Sequence, residues 1–393
     1  VSIKSKRREK LLYYYSFFQA FPVVAIVVNL TFYFFPGLFL SYRKLQKLKV
    51  NHYFQFVAVL FGIGALISTI DSHNVKRSLV VLPNYLYWTF IIIFFYNYRK
   101  HINFDIVSKA IHKGIIYLNI YYWTIERFIQ IQLPGIKYLG ENGYAVLMIC
   151  FVPLVLKRIE LKKGLRTAII YATVFIVLGF LSGSRAGSVL VAVGAFLTLA
   201  GNRLNARRLI LIGVTGLVAY WAVYNAAIIK LAIGALSEET STLIYDTQEV
   251  VETDGSYLLR KAMVEKGLIL FEEDPLTGLG LNNWSEHEVE FRGDFVGAER
   301  IIYKSRLEKF SAHNSYISFL GEGGLLVFIP FVLILLITLL TLLRQYSKLD
   351  DSQRPILWGL LMMSIHIYFI SAMLNSFTWF FIAIGGAAAF KNK

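Results

Sequence analysis

Long apolar blocks separated by short polar segments run through most of the chain. They lack both the strict alternation of a half-buried strand and the narrow stripe of a surface helix. Leu325–Leu343 contains no charged residue. A helix of that kind crosses the roughly 30 Å of bilayer hydrocarbon, which takes about 20 residues. Blocks near 52–70, 78–98, 114–133, 139–156, 165–182, 186–201, 209–230, 313–343, 355–375 and 377–390 read the same way. Leu11–Tyr42 is too long for one ordinary span and short for two. Basic residues on both flanks favour a hairpin with both ends on one side, giving twelve spans rather than eleven. Pro22 and Pro36 are tolerable there, because neighbouring helices satisfy the carbonyls they free. Lys4–Lys10 before an apolar run resembles a signal sequence. The run is too long and lacks a small-residue cleavage site, so it reads as a retained first span. The fold expected is all-α: a polytopic helical membrane protein of about 12 transmembrane helices, with one large external loop that itself contains helices.

That loop, Leu231–Ala312, divides the chain into N-terminal spans over 1–230, the external segment over 231–312 and C-terminal spans over 313–393. Inside it the pattern predicts an amphipathic helix over Arg260–Phe271, with Leu258, Leu259, Met263, Leu268 and Ile269 available to face lipid or protein. It stops at Glu272-Glu273-Asp274-Pro275, and Thr277-Gly278-Leu279-Gly280 makes a tight turn. No internal repeat of the length that builds solenoids or repeat-built transporters is visible.

Charge sets the orientation. Of 40 Lys/Arg and 25 Asp/Glu in the chain, the external segment holds 8 and 16. The basic residues concentrate in Lys4–Lys10, Arg43–Lys49, Arg99–Lys113, Lys157–Arg166, Arg203–Arg208 and Arg344–Arg354, short segments that the positive-inside rule places in the cytoplasm. Asp71–Arg77 and Pro134–Tyr138 then lie outside with the acidic segment, and Lys76 and Arg77 are the exceptions to the pattern. The net charge of +15 thus reports topology, with anionic membrane lipids as a secondary partner and no nucleic acid. A single cysteine, Cys150, excludes a disulfide framework and Cys-ligated metal. There is no phosphate-binding Gly-Lys-Ser/Thr loop and no paired histidines for zinc. Glu286/Glu288/Glu290 read as a solvated acidic face rather than a metal site. No cofactor is expected.

Three positions could carry chemistry. Arg185, in Ser182-Gly183-Ser184-Arg185-Ala186-Gly187, sits at the external junction of two spans, where an arginine either snorkels to headgroups or grips an anion bidentately. His313, in Ala312-His313-Asn314-Ser315-Tyr316, stands where the loop re-enters the membrane. It is either a packed or capping residue or a base for a hydroxyl, and Asn314 or Ser315 suits a helix N-cap. Arg260, at the start of the external helix, competes with Lys261, Lys266, Arg292, Arg300, Lys304, Arg306 and Lys309 as an anion contact. Glu126-Arg127 reads as a local ion pair.

Three segments together resemble the Wzy-type O-antigen polymerase and O-antigen ligase family of membrane glycosyltransferases. The first is Ser182 to Gly187, which looks like the family's Ser-Arg motif. The second is Arg260 followed by Asp274-Pro275-Leu276-Thr277-Gly278-Leu279-Gly280-Leu281, similar to its arginine helix and Pro-x-x-Gly-x-Gly turn. The third is His313-Asn314 through Glu322-Gly323-Gly324-Leu325, similar to its His-Asn-x-x-Leu-x-x-x-x-Glu-x-Gly signature. The resemblance implies glycan transfer from an undecaprenyl-diphosphate-linked oligosaccharide to a sugar hydroxyl, at the external face of the bacterial cytoplasmic (inner) membrane. It makes His313 the base and Arg185 and Arg260 the diphosphate ligands, with no metal. The acceptor would be a further lipid-linked repeat unit (polymerase) or lipid A-core (ligase). Val327 stands where the ligase motif tends to carry Gly, Thr or Tyr, which tilts the reading toward polymerase. A lipid-linked oligosaccharide flippase is the alternative from another class; it would want polar residues at mid-membrane rather than cations at one face. Glu322, two and a half turns beyond His313, faces away from it at 100° per residue and is expected to pack or to anchor the loop.

Overall fold

A computed structural model gives the architecture. It describes the backbone of residues 3–22, 30–43, 45, 48–129, 139–200, 255–291, 312, 314–370 and 375–391, and their side chains except at 3–4, 30–33, 185 and 255–261. The expected span 209–230 lies outside the described residues, among which twelve α-helices and no strand occur. They are α1 (Ile3–Ala20), α2 (Leu30–Arg43), α3 (Tyr53–Ile70), α4 (Val75–Asn97), α5 (Phe104–Tyr121), α6 (Gly140–Lys163), α7 (Leu165–Leu181), α8 (Arg185–Leu199), α9 (Gly255–Glu273), α10 (Ser315–Arg344), α11 (Arg354–His366) and α12 (Ser376–Phe390). A π-helical segment, Tyr122–Ile129, continues α5. The helices fall on the apolar blocks, with two differences. α1 begins ahead of the basic run and takes it in rather than following it, and α11 ends at His366, well short of the expected 375.

Local chemistry sets several of these boundaries. Polar side chains cap orphan amides at three helix starts. The His52 ring accepts from the Phe54 amide, Asn74 from Arg77, and Asn103 from Asp105 and Ile106. Gly164, at φ +87°, separates α6 from α7.

Among the described residues α3, α4 and α10 are long and apolar enough to cross a membrane. Their outward faces are apolar as well. On α3, Phe56, Leu60, Ile63, Ile67 and Ile70 are exposed at helical spacing, and on α10 Ile329, Leu333, Leu336, Leu340 and Leu343. A face of that composition suits lipid rather than water. Inside, Trp88 of α4 stacks on Trp379 of α12 with centroids 4.9 Å apart, and Phe61, Phe319 and Phe331 close round Trp379. Lipid tails are as apolar as leucine, so helix association depends on close packing. Gly64 of α3 supplies it: a Cβ there would lie 2.1 Å from the Leu326 carbonyl oxygen of α10.

Candidate functional site

α10 is broken. Gly324 has φ +56° and ψ −165°, outside helical space, so the carbonyls and amides on either side lose their helical partners. The Pro-x-x-Gly-x-Gly turn after α9 supplies replacements. Leu279 N and Gly280 N donate to the Gly321 and Glu322 carbonyls at 3.1 and 3.0 Å, while Leu325 N and Leu326 N donate to the Pro275 and Leu276 carbonyls at 2.9 and 3.1 Å. The fit tolerates no side chain. A Cβ on Gly278, itself at φ +65°, would meet the Glu322 carbonyl carbon at 2.6 Å, and one on Gly324 the Leu276 oxygen at 2.4 Å.

Glu322 fastens the same joint. Its Oε1 accepts from the Trp284 amide at 2.9 Å, its Oε2 from the Ser318 hydroxyl at 3.3 Å, and its carbonyl from the Ser68 hydroxyl of α3 at 3.1 Å. It is the loop anchor that its helical position suggests. The α3–α4 connection joins in: the His73 amide donates to the Leu279 carbonyl at 3.1 Å, and Asn283 Nδ2 donates to the Ser72 and Ser78 hydroxyls at 2.5 and 3.1 Å. Arg77 Nε lies 2.8 Å from Glu286 Oε1. The two polar segments therefore share one end of the bundle. A cation that breaks the charge pattern is neutralised by an acid of the loop.

The residues flanking His313 are fixed from two sides. Asn314 caps α10, its Oδ1 accepting from Tyr316 N at 3.0 Å and Ile317 N at 3.2 Å. Ser315 donates its amide to the Ile367 carbonyl and its hydroxyl to the Ile370 carbonyl, both at 2.8 Å, so the end of α11 abuts the start of α10. α9, which carries Arg260, packs along the first turns of α10: Gly267 lies against Ile317, and Met263, Leu270, Leu279, Trp284 and Ala312 form a small buried cluster between them.

The Ser-Arg motif is built separately. Gly183, at φ +92°, turns the chain from α7 into α8, and a Cβ there would lie 2.7 Å from Glu141 Oε2. Arg127, on the π-helical segment, donates to the Ser182 carbonyl and, through Nε, to the Tyr122 hydroxyl at 2.9 Å, with Glu141 at 3.5 Å. Tyr122 stacks on Tyr144 with centroids 4.0 Å apart. Glu126 turns elsewhere, its oxygens accepting from Leu139 N at 3.0 Å and Gly140 N at 3.3 Å to cap α6. The local Glu126–Arg127 pair expected from sequence is thus corrected. Side chains at i and i+1 do not face each other on a helix; Glu126 binds the start of α6, and Arg127 binds the α7–α8 turn, Glu141 and Tyr122 of its own segment. Sequence reading gave Arg127 only a local partner; its place near the edge of a span was the available signal for more.

The three motifs lie toward one end of the bundle. The far ends of α6 and α10 lie together, since Lys157 and Arg158 line a recess with Asp351 and Ser352 of the α10–α11 connection. The start of α6, where Glu141 meets Gly183, is therefore at the same end as the start of α10. α8 packs on both α6 and α11. The side chains of Arg185 and Arg260, and His313 itself, lie outside the described residues. What the structure packs together is the helix α9 and the start of α10, while the start of α8 lies against α6 and α11.

Residues 169–332 match the family model of the O-antigen ligases. The match begins in α7 and ends in α10, taking in all three motifs, and it bears out the resemblance read from them. A comparison with curated proteins finds no match. Membrane-length apolar helices and the match to this family mark an integral membrane protein.

Proposed function

We propose that the protein is a glycosyltransferase that moves a glycan from an undecaprenyl diphosphate carrier to a sugar hydroxyl at the external face of the inner membrane. The observation that carries this reading is the O-antigen ligase match over 169–332, a range that takes in Arg185, Arg260 and His313. In this reading His313 takes the proton of the acceptor hydroxyl as that oxygen attacks the anomeric carbon. The bond to the carrier breaks, the lipid diphosphate departs on the opposite side, and configuration inverts. Arg185 and Arg260 stabilise the charge that develops on the leaving diphosphate, work that guanidinium forks do without a metal. Arg127 holds the turn that precedes Arg185 in the chain, as a positioning residue.

Incubating the purified protein with its lipid-linked repeat unit tests the proposal directly. Lengthened glycan is expected, and His313→Ala should lower turnover by roughly 10²–10⁴-fold, the worth of a positioned base, while lipid diphosphate binding persists. Wild-type turnover in that variant would remove His313 from the mechanism. The rate should rise with pH through the histidine's titration, because the neutral ring is the competent base.

The acceptor divides two readings. Val327 favours a repeat unit and hence a polymerase, whereas the description of the matched family favours lipid A-core and hence a ligase. Supplying both acceptors side by side with one donor distinguishes them by the product that accumulates.

A further inference from the structure

At the end of the bundle opposite the glycine turn, α5, α6 and the α10–α11 connection enclose a recess of about 40 Å³, lined by Asp105, Lys157, Arg158, Lys162, Asp351 and Ser352 among others. At ~10–15 Å³ per water-sized sphere, it admits about three oxygens, the number that a phosphate group presents on one side. Two of its cations are almost wholly withdrawn from solvent. The Arg158 side chain is 6% exposed and its Nη1 donates to Asp105 Oδ1 at 2.5 Å. The Lys157 side chain is also 6% exposed, with Nζ 2.8 Å from Glu160 Oε2. The carboxylates round the recess are engaged as well, Asp105 by Arg158 and Asp351 by Arg354 at 2.8 Å. Lys162 lines the recess from its exposed rim and adds positive charge beyond these pairs. The field reaches His112 on α5, whose pKa is held below its ordinary value by burial and by Arg158, Lys163 and Lys162.

A basic recess between helices at a membrane surface fits a phosphate-bearing headgroup. We propose that it binds the phosphate group of an anionic lipid, with Lys162 at the rim supplying the positive charge that the ion pairs leave over and the ion-paired Lys157 and Arg158 forming its floor. The site stands apart from the glycan-transfer reading, because it lies at the other end of the molecule.

Delipidated protein in uncharged detergent, titrated with phosphatidylglycerol, phosphatidylcholine or inorganic phosphate, tests it by native mass spectrometry and thermal unfolding. Phosphatidylglycerol should be retained and should raise the melting temperature more than phosphatidylcholine does. Lys162→Ser should weaken that preference by about fivefold and Lys162→Glu by more, on the scale that one basic side chain contributes near a membrane surface. Lys162 is exposed, so neither change disturbs the core, and Lys49→Glu, on another exposed basic segment, serves as the control. Equal retention of the two lipids, or an equal loss in Lys162→Glu and Lys49→Glu, would overturn the proposal. Stabilisation by inorganic phosphate that depends on Lys162, without an effect of the lipid, would keep the phosphate site and reassign its ligand to a soluble phosphate.

Discussion

An arginine at the edge of hydrocarbon must find oxygens, and Arg127 reaches the Tyr122 hydroxyl, the Ser182 carbonyl and the Glu141 carboxylate. A planar fork reaches several acceptors in fixed directions, whereas an ammonium is a point charge on a flexible stem. Arg127→Lys should therefore leave the bundle folded but loosen the Ser182–Ser184 turn. Turnover at saturating lipid donor should fall about tenfold, with a smaller change in melting temperature. A melting-temperature collapse with proportionate loss of activity would instead make Arg127 a purely structural residue. Arg185→Lys should also lose a large part of turnover if the diphosphate is gripped bidentately, and unchanged turnover would assign Arg185 to the headgroups. At this scale the sequence was legible where a residue belongs to a motif and opaque where it serves one. Nothing near Arg127 in the chain names Ser182 as its partner.

At the scale of elements, the joint between the glycine turn and the break in α10 decides how the loop meets the bundle. Gly278→Ala adds a methyl where backbone already stands, at a φ that L-residues avoid. It should destabilise by ~3 kcal/mol or more, read as a large drop in melting temperature or failure to accumulate in the membrane. Glu322 permits a finer test. Glu322→Gln keeps an oxygen for the Trp284 amide, and its new amide can donate to the Ser318 hydroxyl. Glu322→Ala orphans a buried donor at a cost of about 1–3 kcal/mol. The glutamine variant should melt near wild type and the alanine variant clearly lower; equal melting would show that the joint does not depend on this carboxylate. The turn and the Asn314 cap were readable from Gly, Pro and Asn placement, and most of the helices from the apolar blocks. The pairing of the turn with the broken helix was not, because hydrogen bonds between distant segments leave no period in either.

For the whole molecule the open question is sidedness, and charge answers it in advance. With 16 of 25 acidic residues in Leu231–Ala312, that segment should lie outside and Arg203–Arg208 inside. Cys150, the one natural thiol, is fully buried and gives a silent background for labelling. An impermeant thiol reagent added to intact cells should modify Ser256→Cys and spare Asn205→Cys, and the reverse pattern would invert every assignment made for the two ends. The bundle's general layout was visible in the apolar blocks. The early end of α11 was not, since hydropathy continues past His366 although the helix stops there.

The interlocked joint also imposes an order on biosynthesis. Residues 274–283 leave the ribosome before α10 does. Until they dock, the Gly321 and Glu322 carbonyls and the Leu325 and Leu326 amides would face the membrane unmet, each at a cost of several kcal/mol. Insertion of α10 and closure of the preceding loop are then a single event. A nascent chain arrested before Glu322 emerges should leave the turn open to added protease, and one arrested beyond Arg344 should protect it.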